Sequence, residues 1–131
     1  LSKWVLEQQA GAFARRYDWL RIASLRFHWL LESEGRAREI SRGSPFVWRH
    51  LWAYTNTAAA ARACLRAVSA EFTGHERFYI VAPRTVVDEP SEELARRHFP
   101  DTPIRGALGG NAGFFSCARA EQILGWRHDE E

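Results

Sequence analysis

Between residues 2 and 17 the apolar side chains Trp4, Val5, Ala12, Phe13 and Tyr17 recur at spacings near three and four, while Glu7, Gln8, Arg15 and Arg16 fall mostly between them. That period predicts an amphipathic helix. Asp18-Trp19 turns the chain, and residues 20–29 read as a strand whose centre, 22–27, is nearly continuous in apolar character, as buried parallel strands tend to be. Residues 32–44 are polar and charged and contain Gly35 and Gly43, which predicts a surface loop. After a short aromatic stretch at 51–54, Thr55-Asn56-Thr57 offers capping side chains for an alanine-rich helix over 58–68. Gly74 interrupts the chain, and 77–82 is a second candidate core strand. Ser91-Glu92-Glu93-Leu94 after Pro90 predicts a short helix with acidic groups in its first turn, and Pro100 and Pro103 bracket its end. Residues 106–113 hold four glycines without a strand-turn-helix phosphate signature, which predicts a flexible loop. A last helix is expected from a Ser116 cap through Leu124, stopping at Gly125-Trp126. The chain has no internal repeat, and helices alternating with strands predict an α/β layer.

Composition narrows the function classes. The chain has 131 residues, 46% of them hydrophobic, with six tryptophans, enough for a buried core in one domain or part of one. A net charge of +2, with arginines mixed among 16 acidic residues, is not the one-signed field of a nucleic-acid binder. No apolar run has membrane-spanning length. Cys64 and Cys117 lie far from any paired spacing, which predicts reduced thiols in a cytoplasmic protein. His28, His50, His75, His98 and His128 are scattered, with no cysteine or carboxylate at ligand spacing, so no metal site is expected. Ser24 and Ser116 lie in no nucleophile elbow.

Lys3 is the only lysine of the chain and sits in Leu1-Ser2-Lys3-Trp4-Val5-Leu6-Glu7, at the start of the first helix. This segment resembles the second half of the Tyr-x-x-x-Lys helix of extended short-chain dehydrogenases/reductases, the NAD(P)-dependent epimerases and dehydratases, in which Ser-Lys-x-x-x-Glu commonly follows the tyrosine. Further segments are similar to the carboxyl-terminal part of that family, in the same order. They are Ser24-Leu25-Arg26-Phe27, Tyr54-Thr55-Asn56-Thr57 before the alanine helix, and Phe78-Tyr79-Ile80-Val81. Pro90-Ser91-Glu92-Glu93-Leu94 resembles its Pro-Thr-x-Glu-Leu helix start, and Arg119-Ala120-Glu121-Gln122-Ile123-Leu124-Gly125-Trp126 its closing Lys-Ala-x-x-x-Leu-Gly-Trp. The partner tyrosine would precede Lys3 by four residues, upstream of Leu1, and the absence of methionine agrees with a chain that starts inside the motif.

The resemblance implies the carboxyl-terminal part of a Rossmann-like fold, residues 1–131 forming a single partial domain with a few parallel strands and flanking helices. It implies Lys3 as a catalytic and cofactor-binding residue, Phe27, His28 and Trp29 beside an NAD or NADP cofactor, and Trp29, Leu31, Trp52 and Tyr54 on the substrate side. Dinucleotide-binding glycines are missing, so tight cofactor binding and activity are not expected of this chain alone. The partners expected are a small-molecule substrate, possible class nucleotide sugar or related carbohydrate, and copies of the chain in a homo-oligomer, with neither nucleic acid nor membrane. Where the family has Asn-Val-x-Gly-Pro, this chain has Trp29-Leu30-Leu31-Glu32-Ser33, and Asn56 and Ala59 replace its aspartates, while Trp52 replaces an arginine used on nucleotide phosphate. Substrate identity and the choice among epimerisation, dehydration and oxidoreduction therefore stay open. The alternative, from another class, is a non-enzymatic binding or oligomerisation module built on the same fold.

Overall fold

The structure, a computed structural model, describes residues 1–129. It is a mixed α/β arrangement with short parallel sheets and flanking helices. Helix α1 (Ser2–Arg16) is followed by a turn at Asp18-Trp19 and strand β1 (Ile22–Phe27). Strand β4 (His75–Ile80) pairs with β1 in parallel, from Ile22 opposite His75 to Phe27 opposite Ile80. The crossover between them contains β2 (Leu30–Leu31), α2 (Glu34–Gly43), a 3-10 turn (Val47–His50), β3 (Thr55–Asn56) and α3 (Thr57–Ser69). Helices α4 (Ser91–His98) and α5 (Ala118–Leu124) follow β4.

Strand side chains alternate between faces, and here the alternation separates two kinds of chemistry. Ala23, Leu25 and Phe27 join Phe78 and Ile80 against Ala59 and Ala63 of α3 and Ala120 and Leu124 of α5. On the opposite face Arg26 and Arg77 meet Glu7 of α1, and Ser24 meets His75. The continuous apolar reading of 22–27 is thus corrected: one face is a dry core and the other is a polar layer. The second strand begins and ends two residues earlier than the expected 77–82, because Val81 and Ala82 leave the ladder and the Ala82 N–H donates to the Tyr54 carbonyl at 2.9 Å.

A second two-stranded sheet forms where β2 pairs in parallel with β3. Thr55 joins the two sheets: its hydroxyl donates to the Ile80 carbonyl at 2.6 Å and accepts from the His28 N–H at 2.9 Å. Beside it lies a second apolar cluster of Ala37, Trp52, Tyr54, Ala82, Val86 and Leu94.

The expected surface loop at 32–44 is a helix. Ser33 caps it, accepting from the Arg36 N–H at 3.2 Å, and Glu34 lies in the first turn where the dipole favours an anion. Glu34 and Arg38 form an i,i+4 ion pair at 2.8 Å, and only Ala37 and Ser41 are buried, so the apolar stripe is too narrow to register as a period. The glycine-rich loop is also corrected in its second half. Gly110 and Asn111 carbonyls accept from the Ser91 and Thr85 N–H groups, and the Gly113 N–H donates to the Pro83 carbonyl. Gly113 packs so closely that a Cβ would come within 3.1 Å of the Ala82 carbonyl oxygen.

The last helix ends as expected, with Gly125 left-handed at φ 60° and the Trp126 N–H donating back to the Ala120 carbonyl at 3.2 Å. Its cap position is Cys117 rather than Ser116, whose hydroxyl reaches the Ala118 N–H only at 3.5 Å. Cys64 and Cys117 are both free thiols. Among the described residues no helix is long and apolar enough to cross a membrane. Several large apolar side chains are exposed on α1 and α3, among them Trp4, Leu6, Leu65 and Val68.

Candidate functional site

A cleft of about 780 Å³ runs along β1 beside the first turns of α1. Its walls include Lys3, Trp4 and Glu7 from the helix, Phe27 at the strand end, and Trp29 beyond it. The cleft thus reaches the carboxyl end of a parallel strand, the edge where ligands collect in open α/β sheets. Because α1 runs back along the sheet, its amino-terminal turn comes to that same edge. Three of the residues expected at the cofactor, Lys3, Phe27 and Trp29, are brought together here.

Glu7 lies one turn after Lys3 but is held elsewhere. It accepts from Arg26 Nε at 2.7 Å and Arg26 Nη2 at 2.6 Å, with Arg77 Nε at 3.2 Å. The Arg26 hydrogen bonds hold the Glu7 carboxyl below the usual carboxylate range, against the opposing effect of burial. The Lys3 ammonium therefore has no ion-pair partner among the described residues.

His28 lies beside the cleft without lining it. Its ring packs edge-on to His50 at 5.6 Å and against Phe115 at 5.1 Å, and Nε2 is buried with no hydrogen-bond partner. Burial lowers its pKa from the ordinary 6.5, opposed by an interaction with the His50 backbone and assisted by the facing His50 ring. A depressed histidine pKa stabilises the fold above the unfolded value, and that stability is lost as pH falls through 6.5 towards the folded value. Stability in urea is accordingly expected to drop as pH falls below about 6.5, and His28→Phe should flatten that slope and add about 1 kcal/mol at neutral pH. His75, depressed first by burial and then by Arg77, leaves a residual slope in the variant. Equal slopes for the two proteins would show that His28 is not held neutral.

Leu31, Trp52 and Tyr54, expected on the substrate side, do not reach the cleft wall. Trp52 is 4% exposed and packs on His98 and Phe114, and Tyr54 is 6% exposed with its ring edge on His128. Leu31 packs on the same cluster. Large aromatic surface is most favourably placed where it excludes water, and here that place is the second core. Burial pushes the Tyr54 phenol up to about 12, so it is neutral at physiological pH.

Sequence reasoning missed a backbone feature beside these residues. Trp29, Leu51 and Trp52 have φ values of 43°, 52° and 51°, left-handed without glycine. Such positions cost on the order of 1–3 kcal/mol each and persist where surrounding contacts over-determine them. Trp29 is held by stacking on His50 at 5.7 Å and by its carbonyl, which accepts from the Thr55 N–H; Trp52 is held by its burial and by the Val86 N–H donating to its carbonyl. No glycine or asparagine marks these sites, so the sequence carries no signal for them. The polar layer did leave one in β1, where the polar Ser24 and Arg26 alternate with Ala23, Leu25 and Phe27.

No family model matches the chain, and neither a curated protein nor a solved structure matches it. Chemically the cleft offers one unpaired ammonium, apolar surface that includes Trp4, Leu6 and Trp29, and a volume within the roughly 300–1,000 Å³ range of small-molecule sites.

Proposed function

We propose that this chain is the substrate-side, carboxyl-terminal part of an NAD(P)-dependent oxidoreductase of the epimerase/dehydratase type, with Lys3 as its catalytic lysine. The observation that carries the reading is the convergence of Lys3, Phe27 and Trp29 on one cleft at the carboxyl end of β1. Lys3 is exposed in the first turn of α1, and a role in holding a ribose beside a nicotinamide accounts for its place in the same cleft as Phe27 and Trp29.

The residues fit such a group in part. An ammonium without an ion-pair partner supplies donors for ribose hydroxyls, and Trp4 and Trp29 supply apolar surface for a flat ring, with Phe27 at the strand end beside them. The pyrophosphate has no cradle on this chain, since its glycines form no strand-turn-helix phosphate loop. Bound nicotinamide accepts or returns hydride. Lys3 would hold the ribose and, through its charge, favour the ionised form of a tyrosine one turn earlier on the same helix face, so that this phenol exchanges a proton with substrate. Phe27 and Trp29 would exclude water from the transfer.

Titration calorimetry tests this division of labour. The chain alone should bind NADH and NADPH no more than weakly, and a polypeptide extended upstream through the tyrosine and a glycine-rich strand-turn-helix should bind one of them at micromolar level. Micromolar binding by the chain alone, or none by the extended polypeptide, would overturn the proposal.

A further inference from the structure

We propose a second site, separate from the cleft, that binds a small carboxylic acid with an aromatic or branched apolar body, in the cavity between the end of α4 and the segments 102–108 and 113–116. The cavity is about 530 Å³, within the roughly 300–1,000 Å³ range of small-molecule sites, and no residue lines both it and the cleft.

One wall is fixed by the rest of the fold. Phe99 follows α4, with its N–H donating to the Ala95 carbonyl at 2.8 Å and its ring packed on Trp48. Phe114 packs on Trp52 at 5.7 Å and Phe115 on Tyr79 at 5.2 Å. Just before them Gly113 anchors the segment, its N–H donating to the Pro83 carbonyl at 2.8 Å. Aromatic surface held in place by its own partners keeps a cavity formed before any ligand arrives. The facing wall is different. Ile104 and Leu108 line the cavity but join neither apolar cluster, and Ile104 is 43% exposed. Among the described residues, 103–108 make no backbone–backbone hydrogen bond, so this wall can settle onto a guest. The apolar body of a ligand supplies the packing that these two side chains lack.

Charge sets the class of ligand. Arg105 is the only charged residue lining the cavity, and it has no ion-pair partner among the described residues. It is exposed, which places its partner at the mouth and the apolar body inside. Thr102 and Ser116 add hydroxyls to the lining. A single guanidinium with no competing carboxylate favours an anion over a neutral molecule of the same shape, because both oxygens of a carboxylate accept from the planar fork. A sugar is disfavoured, since its hydroxyls would lie unpaired against Phe99, Ile104, Leu108 and Phe114.

The test follows the Ile104 δ1-methyl signal by NMR while phenylacetate is added to the chain, with phenylacetamide and acetate as controls at equal ionic strength. A saturable shift is expected with phenylacetate, about tenfold weaker binding with the neutral amide, the loss of one charge-assisted contact, and no saturable shift with acetate, which has no body to bury. Arg105→Gln should bring acid and amide to similar affinity, with the fold intact because Arg105 is exposed. No saturable shift with phenylacetate, equal affinity for acid and amide in the parent, a saturable shift with acetate, or an unchanged preference for the acid in Arg105→Gln would overturn the proposal.

Discussion

Trp126→Ala is expected to cost about 3–5 kcal/mol, as much as or more than a small domain can spare. Trp126 is 1% exposed and is the largest of the fully buried side chains. It lies just past the glycine stop of α5 and folds back so that its Nε1–H donates to the Ala59 carbonyl at 2.9 Å. That bond ties the end of α5 to the first turn of α3, and the ring fills the space those helices leave over Phe78 and Ile80. Alanine would leave a cavity among side chains whose backbones are fixed by the β1–β4 ladder, so the site cannot collapse onto the gap. Trp126→Phe separates the two contributions: most of the apolar contact remains while the hydrogen bond is lost, and about 1–2 kcal/mol is expected. Urea unfolding followed by far-UV circular dichroism reads both. A midpoint for Trp126→Ala near that of the parent would show that α5 is not docked as described.

The same region shows which parts of the fold are legible from residues. Helix α3 follows from Asn56, whose side chain accepts from the Ala58 and Ala59 N–H groups at 2.9 and 3.2 Å, and from the alanine run behind it. The end of α5 follows from Gly125, which takes a backbone conformation that other residues avoid. These are local signals. Helix α2 has a local signal in its Ser33 cap and Glu34–Arg38 pair but no apolar period, because only two of its ten positions are buried. Strands β2 and β3 are two residues each and exist only because Leu30-Leu31 meets Thr55-Asn56 across the crossover, a long-range event without a local pattern. The candidate site divides in the same way. Lys3 stands out as a single lysine among arginines, and Phe27 and Trp29 by their place at a strand end. The burial of Trp52 and Tyr54 depends on α2 and α4 closing over them, which is not written in spacing along the chain.

If Lys3 is the catalytic lysine proposed above, a longer polypeptide that carries a tyrosine four residues before it should be strongly impaired by Lys3→Ala. The fold should survive, since Lys3 is exposed in the first turn of α1 and alanine is a good helix former. Turnover should fall about 100- to 10,000-fold, the usual range for loss of general acid-base assistance. Two effects combine: the phenol of the tyrosine returns towards its ordinary pKa near 10, and the ribose loses its donor, so the nicotinamide is no longer held in register. Lys3→Arg should not restore activity, because a planar fork cannot reproduce the compact donor geometry of an ammonium. The deciding measurement is the pH profile of kcat for the extended parent and for Lys3→Ala at saturating dinucleotide. The account predicts that the variant is slower by at least about 100-fold at the parent's optimum and that its rate rises only at higher pH, where the unassisted tyrosine ionises. A variant within a few-fold of the parent, with an unshifted profile, would contradict it and make Lys3 an ordinary surface lysine.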